Sequence, residues 1–183
     1  HVSFLHEGAL KSDPLFQGSK GNEYNQHDLM PIFDVAEFDG GLLIAARRNA
    51  EGDQYYWRIT PWVMPFYTLI APRGGNPIGG HAWVPIDDHN TWSWSISYHP
   101  RRALTRKEIA AMDDGAGIHV RAIPGTFIPL ANKGNDYLMN RDAQVAGKSF
   151  SGIDGVGMQD ASLQESMGPV IDRSLENLVS TDN

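Results

Sequence analysis

The chain has 183 residues, of which 41% are hydrophobic and 20% are charged, proportions that suit one soluble globular domain. Its net charge of −7 argues against a nucleic-acid partner, because phosphate binding needs clustered Lys and Arg. The absence of cysteine excludes disulfides, cysteine–zinc sites, cysteine nucleophiles and any iron–sulfur cluster held by this chain.

The first third of the chain predicts a short helix, a loop and three strands. Residues 1–10 favour a helix, and the polar, glycine-bearing residues that follow favour a loop over 11–31. Turn signals in the strings DGG and EGD then separate apolar segments, which predict strands near 31–38, 41–48 and 54–70. Pro61 and Pro65 interrupt the last of them, as expected of a bulge or an edge.

Two further segments, IGGHAWVPIDD and TWSWSISYHP, predict an antiparallel pair of strands. In the second segment large apolar residues alternate with Ser and Thr, a period of two that indicates a strand with one apolar face. We expect the tryptophans of these strands to lie in the core or in subunit contacts rather than against a substrate. They are Trp57, Trp62, Trp83, Trp92 and Trp94.

The second half is less regular. Thr105 and Glu108 form a capping-box pattern that opens a short helix, and residues 115–157 are rich in Gly and Asn with little periodicity. The string MQDASLQESMGPVIDRSLENL then predicts a helix interrupted near Gly168 and Pro169. The fold class expected from these elements is α+β, with an antiparallel sheet in the middle and helices at the ends.

His1 and His6 form the tightest histidine pair, with the spacing H-x4-H. On a regular α-helix, residues five apart point about 140° away from each other. To bind one metal, the helix must widen locally, or one histidine must lie just off its end. This spacing alone is weak evidence, because most such histidines are surface or capping residues.

The ordered set HVSFLH, WVMPFYTLIAP, HAWVPIDD and GVGMQDASLQESMGPVIDRSLENL resembles the catalytic domain of Rieske non-haem iron oxygenases. The closest resemblance is to the large (alpha) subunits of the phthalate 4,5-dioxygenase-like branch. The resemblance implies a helix-grip-like α+β fold, in which an antiparallel sheet packs with helices.

The same resemblance implies a mononuclear Fe(II) held by His1, His6 and Asp160. Two histidines and one carboxylate on one face of the ion leave the other positions open for O₂. From the residues alone, Asp160 is instead an acid at the start of a helix, and that alternative stays open here. The glycines in SGIDGVG are expected to let the main chain bend on its approach to Asp160.

The activity implied is dihydroxylation or O-demethylation of an aromatic, carboxylated substrate, with O₂ and with electrons from NAD(P)H. The implied electron donor is a reductase or ferredoxin. The intact protein is expected to be a homotrimer or hexamer, because the electron crosses from one subunit to the next. Membranes are not expected partners, since no apolar run approaches the roughly 18 residues that span a bilayer. The expected location is the cytoplasm.

The resemblance further predicts that residues 1–183 are part of a catalytic domain, without the Rieske domain that carries a [2Fe–2S] cluster in this family. We therefore expect no turnover from the chain alone. The sequence leaves two alternative functions open: a copper monooxygenase acting on polysaccharide through an N-terminal His1, and a helix-grip module that binds hydrophobic ligands without chemistry.

Four arginines offer guanidinium groups for a substrate carboxylate, although most arginines are solvated or lie at interfaces. They are Arg47, Arg48, Arg101 and Arg102. Four histidines have no spacing that indicates a metal site: His81, His89, His99 and His119.

Overall fold

The computed structural model of the chain describes residues 2–179. Its centre is a six-stranded antiparallel sheet in which each strand pairs with the next one along the chain. The strands are β1 (Ile32–Phe38), β2 (Gly41–Asn49), β3 (Tyr55–Val63), β4 (Tyr67–Leu69), β5 (Ile78–Pro85) and β6 (Thr91–Tyr98). This confirms the α+β class and the predicted β5–β6 pair.

The strand expected over 54–70 is two strands. β3 ends at Val63 and β4 begins at Tyr67, and the turn between them contains Pro65, which has no N–H to donate to a ladder. The chain reverses there, so Val63 pairs with Tyr67. The proline predicted to mark a bulge or an edge marks a hairpin instead.

Six α-helices accompany the sheet among residues 2–179, together with 3₁₀ turns at Lys133–Leu138 and Arg173–Leu175. They are α1 (Val2–Leu5), α2 (Glu7–Ser12), α3 (Gly21–His27), α4 (Arg106–Asp113), α5 (Arg141–Val145) and α6 (Val156–Ser166). The described part of the chain contains no helix long and apolar enough to cross a membrane.

The capping box that opens α4 is confirmed, with Thr105 and Glu108 bonded reciprocally. The loop predicted over 11–31 is wrong in part, because α3 lies within it. Tyr24 of α3 packs its ring 5.0 Å from that of Tyr56 and bonds its hydroxyl to Glu51, so tertiary contacts hold a polar sequence in a helix.

The predicted C-terminal helix is also shorter than expected. α6 ends at Ser166, and φ is +94° at Gly168, a value that stops a helix, with Pro169 directly after it. After these residues, Arg173–Leu175 forms only a 3₁₀ turn. The interruption was predicted correctly, but the continuation as an α-helix was wrong.

The two faces of the sheet differ. The register places one set of large apolar residues on a single face, here called the outer face, and the described residues leave it exposed. These residues include Leu43, Trp57, Ile59, Trp92, Trp94, Ile96 and Tyr98. Trp57, Trp92 and Trp94 therefore lie outside the core, which leaves subunit contact as the predicted role of these three residues.

The opposite face, here called the inner face, packs against α3 and the segment around Ile118. A methyl group built on Gly79 of β5 would lie 3.0 Å from Cδ1 of Ile118. The hydroxyl of Ser95 on β6 donates to the carbonyl of Ile118 at 3.1 Å. Tyr137 and Ile153 pack with Met158 of α6 in a small hydrophobic core.

Candidate metal centre

His6 lies between two short helices. α1 ends at Leu5 and α2 begins at Glu7, while φ −101° and ψ 5° at His6 depart from the regular helix. The side chain is buried, since only 5% of the surface of His6 is exposed. His6 thus lies just off a helix end, one of the two arrangements that the H-x4-H spacing permits. Its predicted partner His1 lies outside the described residues.

Asp160 lies in the middle of α6, as the fifth residue of that helix. It is not a helix-starting acid, so the alternative interpretation of this residue is wrong. The chain reaches α6 through positive φ values of +70° at Gly152 and +79° at Gly155, which glycine adopts without steric cost. The expected bend in the glycine-rich approach is therefore present.

His6, Gln159 and Asp160 form one connected group. Nδ1 of His6 lies 2.8 Å from Oε1 of Gln159, although 153 positions separate the two residues. Nε2 of His6 lies 3.1 Å from Oδ1 of Asp160. Both nitrogens of one buried imidazole therefore face successive residues of α6.

The side chain of Gln159 presents a hydrogen-bond acceptor to His6. Its Nε2 donates to the carbonyl oxygen of Ile153 at 2.9 Å, so its Oε1 is the atom that faces Nδ1 of His6. The carboxylate of Asp160 is a second acceptor, on the Nε2 side of the ring. His6 thus lies between two acceptors, of which Asp160 carries the charge.

Two opposing effects act on the pKa of His6. Burial lowers it, while the hydrogen bonds to Asp160 and Gln159 and the charge of Asp160 raise it by more, so the pKa lies above its ordinary value. The position between Nε2 and the carboxylate thus attracts positive charge. A proton meets that need, and so does a metal cation.

The spacing of these two donor atoms suits a shared metal ion. Two ligands bound at about 2.1 Å and at right angles to each other are about 3.0 Å apart, close to the separation of His6 Nε2 and Asp160 Oδ1. Histidine ligands commonly donate their other N–H to an acceptor, the part that Gln159 plays here. Among the side chains that the structure describes, which do not include those of residues 1–3, 7 and 180–183, no three of His, Cys, Asp or Glu converge on one point. The set is therefore His6 and Asp160, with His1 outside the described range.

Of the two half-buried histidines without informative spacing, His81 lies near this group. It is on β5 and stacks on Trp83 at 4.7 Å, and its pKa is lowered by burial while the Ile118 carbonyl and the charge of Asp160 oppose that shift. The pKa of His119 is also lowered by burial, and its Nε2 lies 2.8 Å from the hydroxyl of Ser97. The charge of Asp160 therefore reaches His81, on the inner face of the sheet.

Three arginines form a second group, here called the arginine cluster: Arg48 of β2, Arg58 of β3 and Arg73 before β5. Each has a buried nitrogen that no hydrogen-bond partner within residues 2–179 satisfies, namely Nη1 in the first two and Nε in the third. Burial and the charge of Arg58 lower the pKa of Arg73 to about 10 and that of Arg48 below its ordinary value. The cluster is thus a desolvated concentration of positive charge in an acidic protein.

The arginine cluster is within electrostatic reach of the candidate metal centre. After burial and the contacts with Asp160 and Gln159, the charge of Arg73 also acts on the pKa of His6, in the lowering direction. Arg73 is further held by a 2.8 Å hydrogen bond to Asn22 and by the ring of Phe16, 4.4 Å from its guanidinium carbon. Its position is therefore fixed from two sides.

Only one of the four arginines proposed from the sequence belongs to this cluster. Arg47 lies over the ring of Tyr55 at 4.3 Å, and Arg102 forms two 2.7 Å hydrogen bonds with Glu108. Arg58 and Arg73 were missed. A signal existed for Arg58, because strand alternation places it on the inner face with Tyr56, and a charged residue at an inward position indicates a special environment.

Comparison with known proteins finds one matching family model and similar oxygenase subunits. The family model described as LigXa C-terminal domain like matches residues 23–183. The 3-chlorobenzoate-3,4-dioxygenase oxygenase subunit of Comamonas testosteroni is 33% identical over 196 aligned residues, covering 100% of this chain and 44% of the relative. The phthalate 4,5-dioxygenase oxygenase subunit of Pseudomonas putida is 30% identical, covering 85% of this chain and 35% of the relative. The chain thus spans less than half the length of either relative.

Proposed function

The chain belongs to the LigXa C-terminal domain-like family and has the catalytic-domain sequence of a Rieske-type aromatic ring-hydroxylating oxygenase. On that premise, we propose that the oxygenase containing it uses O₂ and NAD(P)H-derived electrons to hydroxylate an aromatic carboxylate at a mononuclear Fe(II). The reaction is a dihydroxylation or an O-demethylation. The observation that carries the proposal is the 3.1 Å separation of His6 Nε2 and Asp160 Oδ1, two groups from opposite ends of the chain.

We assign the metal ligands to His1, His6 and Asp160. When bound by two imidazoles and one carboxylate, Fe(II) keeps open positions at which O₂ can be activated next to a substrate. The protein contributes the placement of the donors: Gln159 faces Nδ1 of His6, Nε2 lies 3.1 Å from Oδ1 of Asp160, and α6 carries the carboxylate. The 40% exposure of the Asp160 side chain leaves access to the carboxylate from outside.

The arginine cluster supports a carboxylated substrate. A buried guanidinium nitrogen without a hydrogen-bond partner costs about 1–3 kcal/mol, and an anion placed among three of them supplies the missing acceptors. The names of the two relatives refer to 3-chlorobenzoate and phthalate, both aromatic carboxylates. The influence of Arg73 on His6 supports a carboxylate bound beside the metal, with the ring directed toward it.

We propose that the electrons reach the Fe(II) through groups that this chain does not hold. A [2Fe–2S] Rieske cluster in a separate domain receives electrons from a reductase or ferredoxin, and the intact oxygenase is a trimer or hexamer working in the cytoplasm. The chain by itself then binds iron and substrate without sustained turnover, because it has no cysteine with which to hold such a cluster.

Anaerobic Fe(II) binding by the purified chain tests the assignment. We expect one tightly bound Fe(II) in the wild type, and loss of that binding in Asp160→Ala and in His6→Ala. Asp154→Ala is the matched control, since Asp154 is an exposed carboxylate six positions before Asp160. Circular dichroism on each sample confirms folding. A folded wild-type chain that binds no iron, or iron binding unaffected by Asp160→Ala, would contradict the proposal.

A further inference from the structure

Asp13 is a buried carboxylate that belongs to neither the candidate metal centre nor the arginine cluster, with 8% of its surface exposed. Its Oδ1 accepts from the backbone N–H of Leu15 at 2.8 Å, and its Oδ2 accepts from that of Gly117 at 2.6 Å. The second bond joins residues that are 104 positions apart. Asp13 therefore ties the N-terminal segment to the middle of the chain with a charged acceptor, which forms stronger hydrogen bonds than a neutral one.

Asp13 and His6 lie at opposite ends of α2. His6 precedes the helix Glu7–Ser12, and Asp13 follows it. The backbone N–H of Leu10 donates to the carbonyl of His6 at 2.8 Å, so His6 is bonded to the first turn. The backbone N–H of Asp13 donates to the carbonyl of Ala9 at 2.8 Å, so Asp13 is bonded to the last turn. A displacement of Asp13 is therefore transmitted to His6 through one short helix.

The remote partner of Asp13 begins a segment, residues 117–120, that is here called the platform. The hydroxyl of Ser95 on β6 donates to the carbonyl of Ile118 at 3.1 Å, which holds the platform on the inner face of the sheet. Helix α6 packs against the same carbonyl, because a methyl group built on Gly157 would lie 3.0 Å from its oxygen. The platform thus contacts both Asp13 and the helix that carries the candidate carboxylate ligand.

Helix α2 is attached to the rest of the fold at both ends. At its start, His6 contacts Gln159 and Asp160 of α6. At its end, Asp13 bonds to Gly117 of the platform. A short helix held at one end can turn about that point, whereas a helix held at both ends keeps its direction. Asp13 therefore contributes the second point that fixes how α2 is oriented toward α6.

The position of Asp13 calls for a carboxylate. An ionised carboxylate accepts at both oxygens, whereas an amide of the same shape has one acceptor and would turn its NH₂ group toward one of the two N–H donors. The negative charge is also opposed by Arg73. Burial and the charge of Arg58 lower the pKa of Arg73 to about 10, while the charges of Tyr56 and Asp13 oppose that shift. The buried charge therefore has two donors and a cation nearby.

We propose that Asp13 is a positioning residue that fixes the separation of His6 and Asp160, because it joins α2 to the platform against which α6 packs. The inference rests on the proposed function for its consequence, metal binding, but the separation itself is a property of the metal-free chain. A metal site must hold its donor atoms to within about 0.5 Å of the productive geometry. Loss of the bond between Asp13 and Gly117 therefore lets the two helices move apart by enough to matter.

Two substitutions remove this bond in different ways. Asp13→Asn keeps the size of the side chain but leaves one acceptor for two donors. Asp13→Ser keeps a hydroxyl that can accept from the N–H of Leu15, as serine does in short turns, but is too short to bond to Gly117 as well. A common effect of the two variants therefore reports the long-range bond rather than the local turn.

Asp28→Asn is the matched control. Asp28 is the C-cap of α3, as Asp13 is of α2. Its carboxylate also accepts two backbone N–H groups, from Met30 two positions later at 3.2 Å and from the remote Asn49 at 2.9 Å. It lies in neither α2, α6 nor the platform. This variant therefore loses similar hydrogen bonds without touching the proposed connection.

The first measurement is amide hydrogen exchange at Gly117, followed by NMR in the metal-free chain. We expect slow exchange in the wild type and in Asp28→Asn, because the N–H is bonded to a buried carboxylate. Exchange should be fast in Asp13→Asn and in Asp13→Ser. Thermal unfolding of each sample shows how much stability every variant loses.

The second measurement is the distance between α2 and α6. Because the chain has no cysteine, spin labels attach only to introduced ones, here Gly8→Cys in α2 and Gln164→Cys in α6. A side chain at Gly8 meets nothing within 4 Å, and Gln164 is exposed. We expect both Asp13 variants to shift or broaden the distance distribution measured by EPR. Asp28→Asn should lower the unfolding midpoint and leave the distance unchanged, since lost stability alone does not move the two helices.

The third measurement is the affinity for Fe(II), added anaerobically as the metal alone. We expect binding about tenfold weaker in both Asp13 variants, at the lower end of the range seen when groups that support metal ligands are removed. Asp28→Asn should bind iron as the wild type does. If the distance changes as expected but no sample binds iron, the wild type included, the positioning role stands and the proposed function fails.

Fast exchange at Gly117 in the wild-type chain would overturn the proposal, even if neither Asp13 variant folded. A folded Asp13→Asn or Asp13→Ser variant with the wild-type distance and iron affinity would also overturn it. Equal changes of distance in Asp13→Asn and Asp28→Asn would show that the effect follows from lost stability and not from the connection between α2 and the platform.

Discussion

The α-carbon of Gly157 lies so close to the carbonyl oxygen of Ile118 that a methyl group added to it would be 3.0 Å from that oxygen. The same methyl group would lie 3.0 Å from Cγ1 of Val120. Since Gly157 lies in the first turn of α6 and Asp160 one turn later, this contact sets where the candidate carboxylate stands.

We therefore predict that Gly157→Ala displaces α6 and destabilises the protein by about 1–2 kcal/mol, although alanine normally favours a helix over glycine by about 1 kcal/mol. Fe(II) affinity should fall with it, because Asp160 moves relative to His6. Thermal unfolding and anaerobic iron titration measure the two effects.

Gly8→Ala is the control for this substitution. Gly8 lies in α2, and a methyl group there would meet nothing within 4 Å. That variant should gain stability through helix propensity alone. A stabilised Gly157→Ala with unchanged iron affinity would show that α6 tolerates the shift and that its contact with Ile118 does not fix the site.

The capping box of α4 predicts a pH dependence. The hydrogen bonds from Arg102 and from the backbone N–H of Thr105 lower the pKa of Glu108 to about 2, from an ordinary value of 4.5. Because the folded-state pKa is depressed, this stabilisation is fully present above about pH 4.5 and is lost as the pH falls toward 2.

Wild type and Glu108→Gln should accordingly differ in unfolding midpoint at neutral pH and converge as the pH falls through that window. Glu176→Gln is a suitable comparison, since Glu176 also pairs with an arginine, Arg173, but its side chain forms no capping box. A difference between wild type and Glu108→Gln that stays constant from neutral to acidic pH would contradict the assignment.

Local patterns were enough to predict most of the sheet and the start of α4. Strand alternation and turn residues are short-range signals, as is a capping box, so five of the strands were placed from neighbouring residues alone. Helix α3 was missed because its stability comes from contacts of Tyr24 with Tyr56 and Glu51, which are remote in sequence. Propensity does not encode such contacts.

The candidate site was predictable only in part, for the same reason. His6 and Asp160 were proposed through a family resemblance, and the structure brings them together, while metal binding stays a prediction. Gln159 precedes Asp160 directly, yet its role depends on the carbonyl of Ile153 and on a histidine 153 positions away. Arg73 lies outside any strand, so no periodicity marks it as inward-facing.

The outer face of the sheet predicts self-association of the isolated chain. Ile59 and Ile96 are 49% and 51% exposed on the same face of the sheet as Trp57, Trp92 and Trp94, and large exposed apolar patches drive association. Ile59→Lys and Ile96→Lys should shift the chain toward monomer at equal concentration, with a smaller loss of unfolding free energy than at a core position because about half of each residue is already exposed. Sedimentation velocity and chemical denaturation measure both.

Val145→Lys provides the comparison for these substitutions, because Val145 is 90% exposed and lies in α5, away from the outer face. It should leave association unchanged. Equal effects of all three lysine substitutions would show that added charge, rather than loss of the apolar face, controls association.

Arg58 is predicted to lower the unfolding free energy of the protein and to strengthen its binding of a carboxylate ligand. Its buried Nη1 lacks a partner among the described residues, and its charge opposes those of Arg48 and Arg73. Arg58→Met removes the unpaired donor and the repulsion, so the unfolding free energy should rise by about 1 kcal/mol. If the cluster holds a substrate carboxylate, the same variant should bind benzoate about tenfold more weakly, since a hydrogen bond to a charged group contributes about 1.5–3 kcal/mol. Calorimetric titration and chemical denaturation measure the two quantities.

Arg101→Met separates the effect of the cluster from the loss of one positive charge, because Arg101 is exposed after β6. It should change stability by no more than about 0.5 kcal/mol and leave benzoate binding unchanged. For Arg58→Met, the unfolding free energy should rise while the affinity for benzoate falls. This combination is discriminating, because replacing an arginine that supports the fold would lower the unfolding free energy. A destabilised Arg58→Met with unaltered benzoate affinity would therefore argue that the arginine cluster supports the fold and receives no substrate.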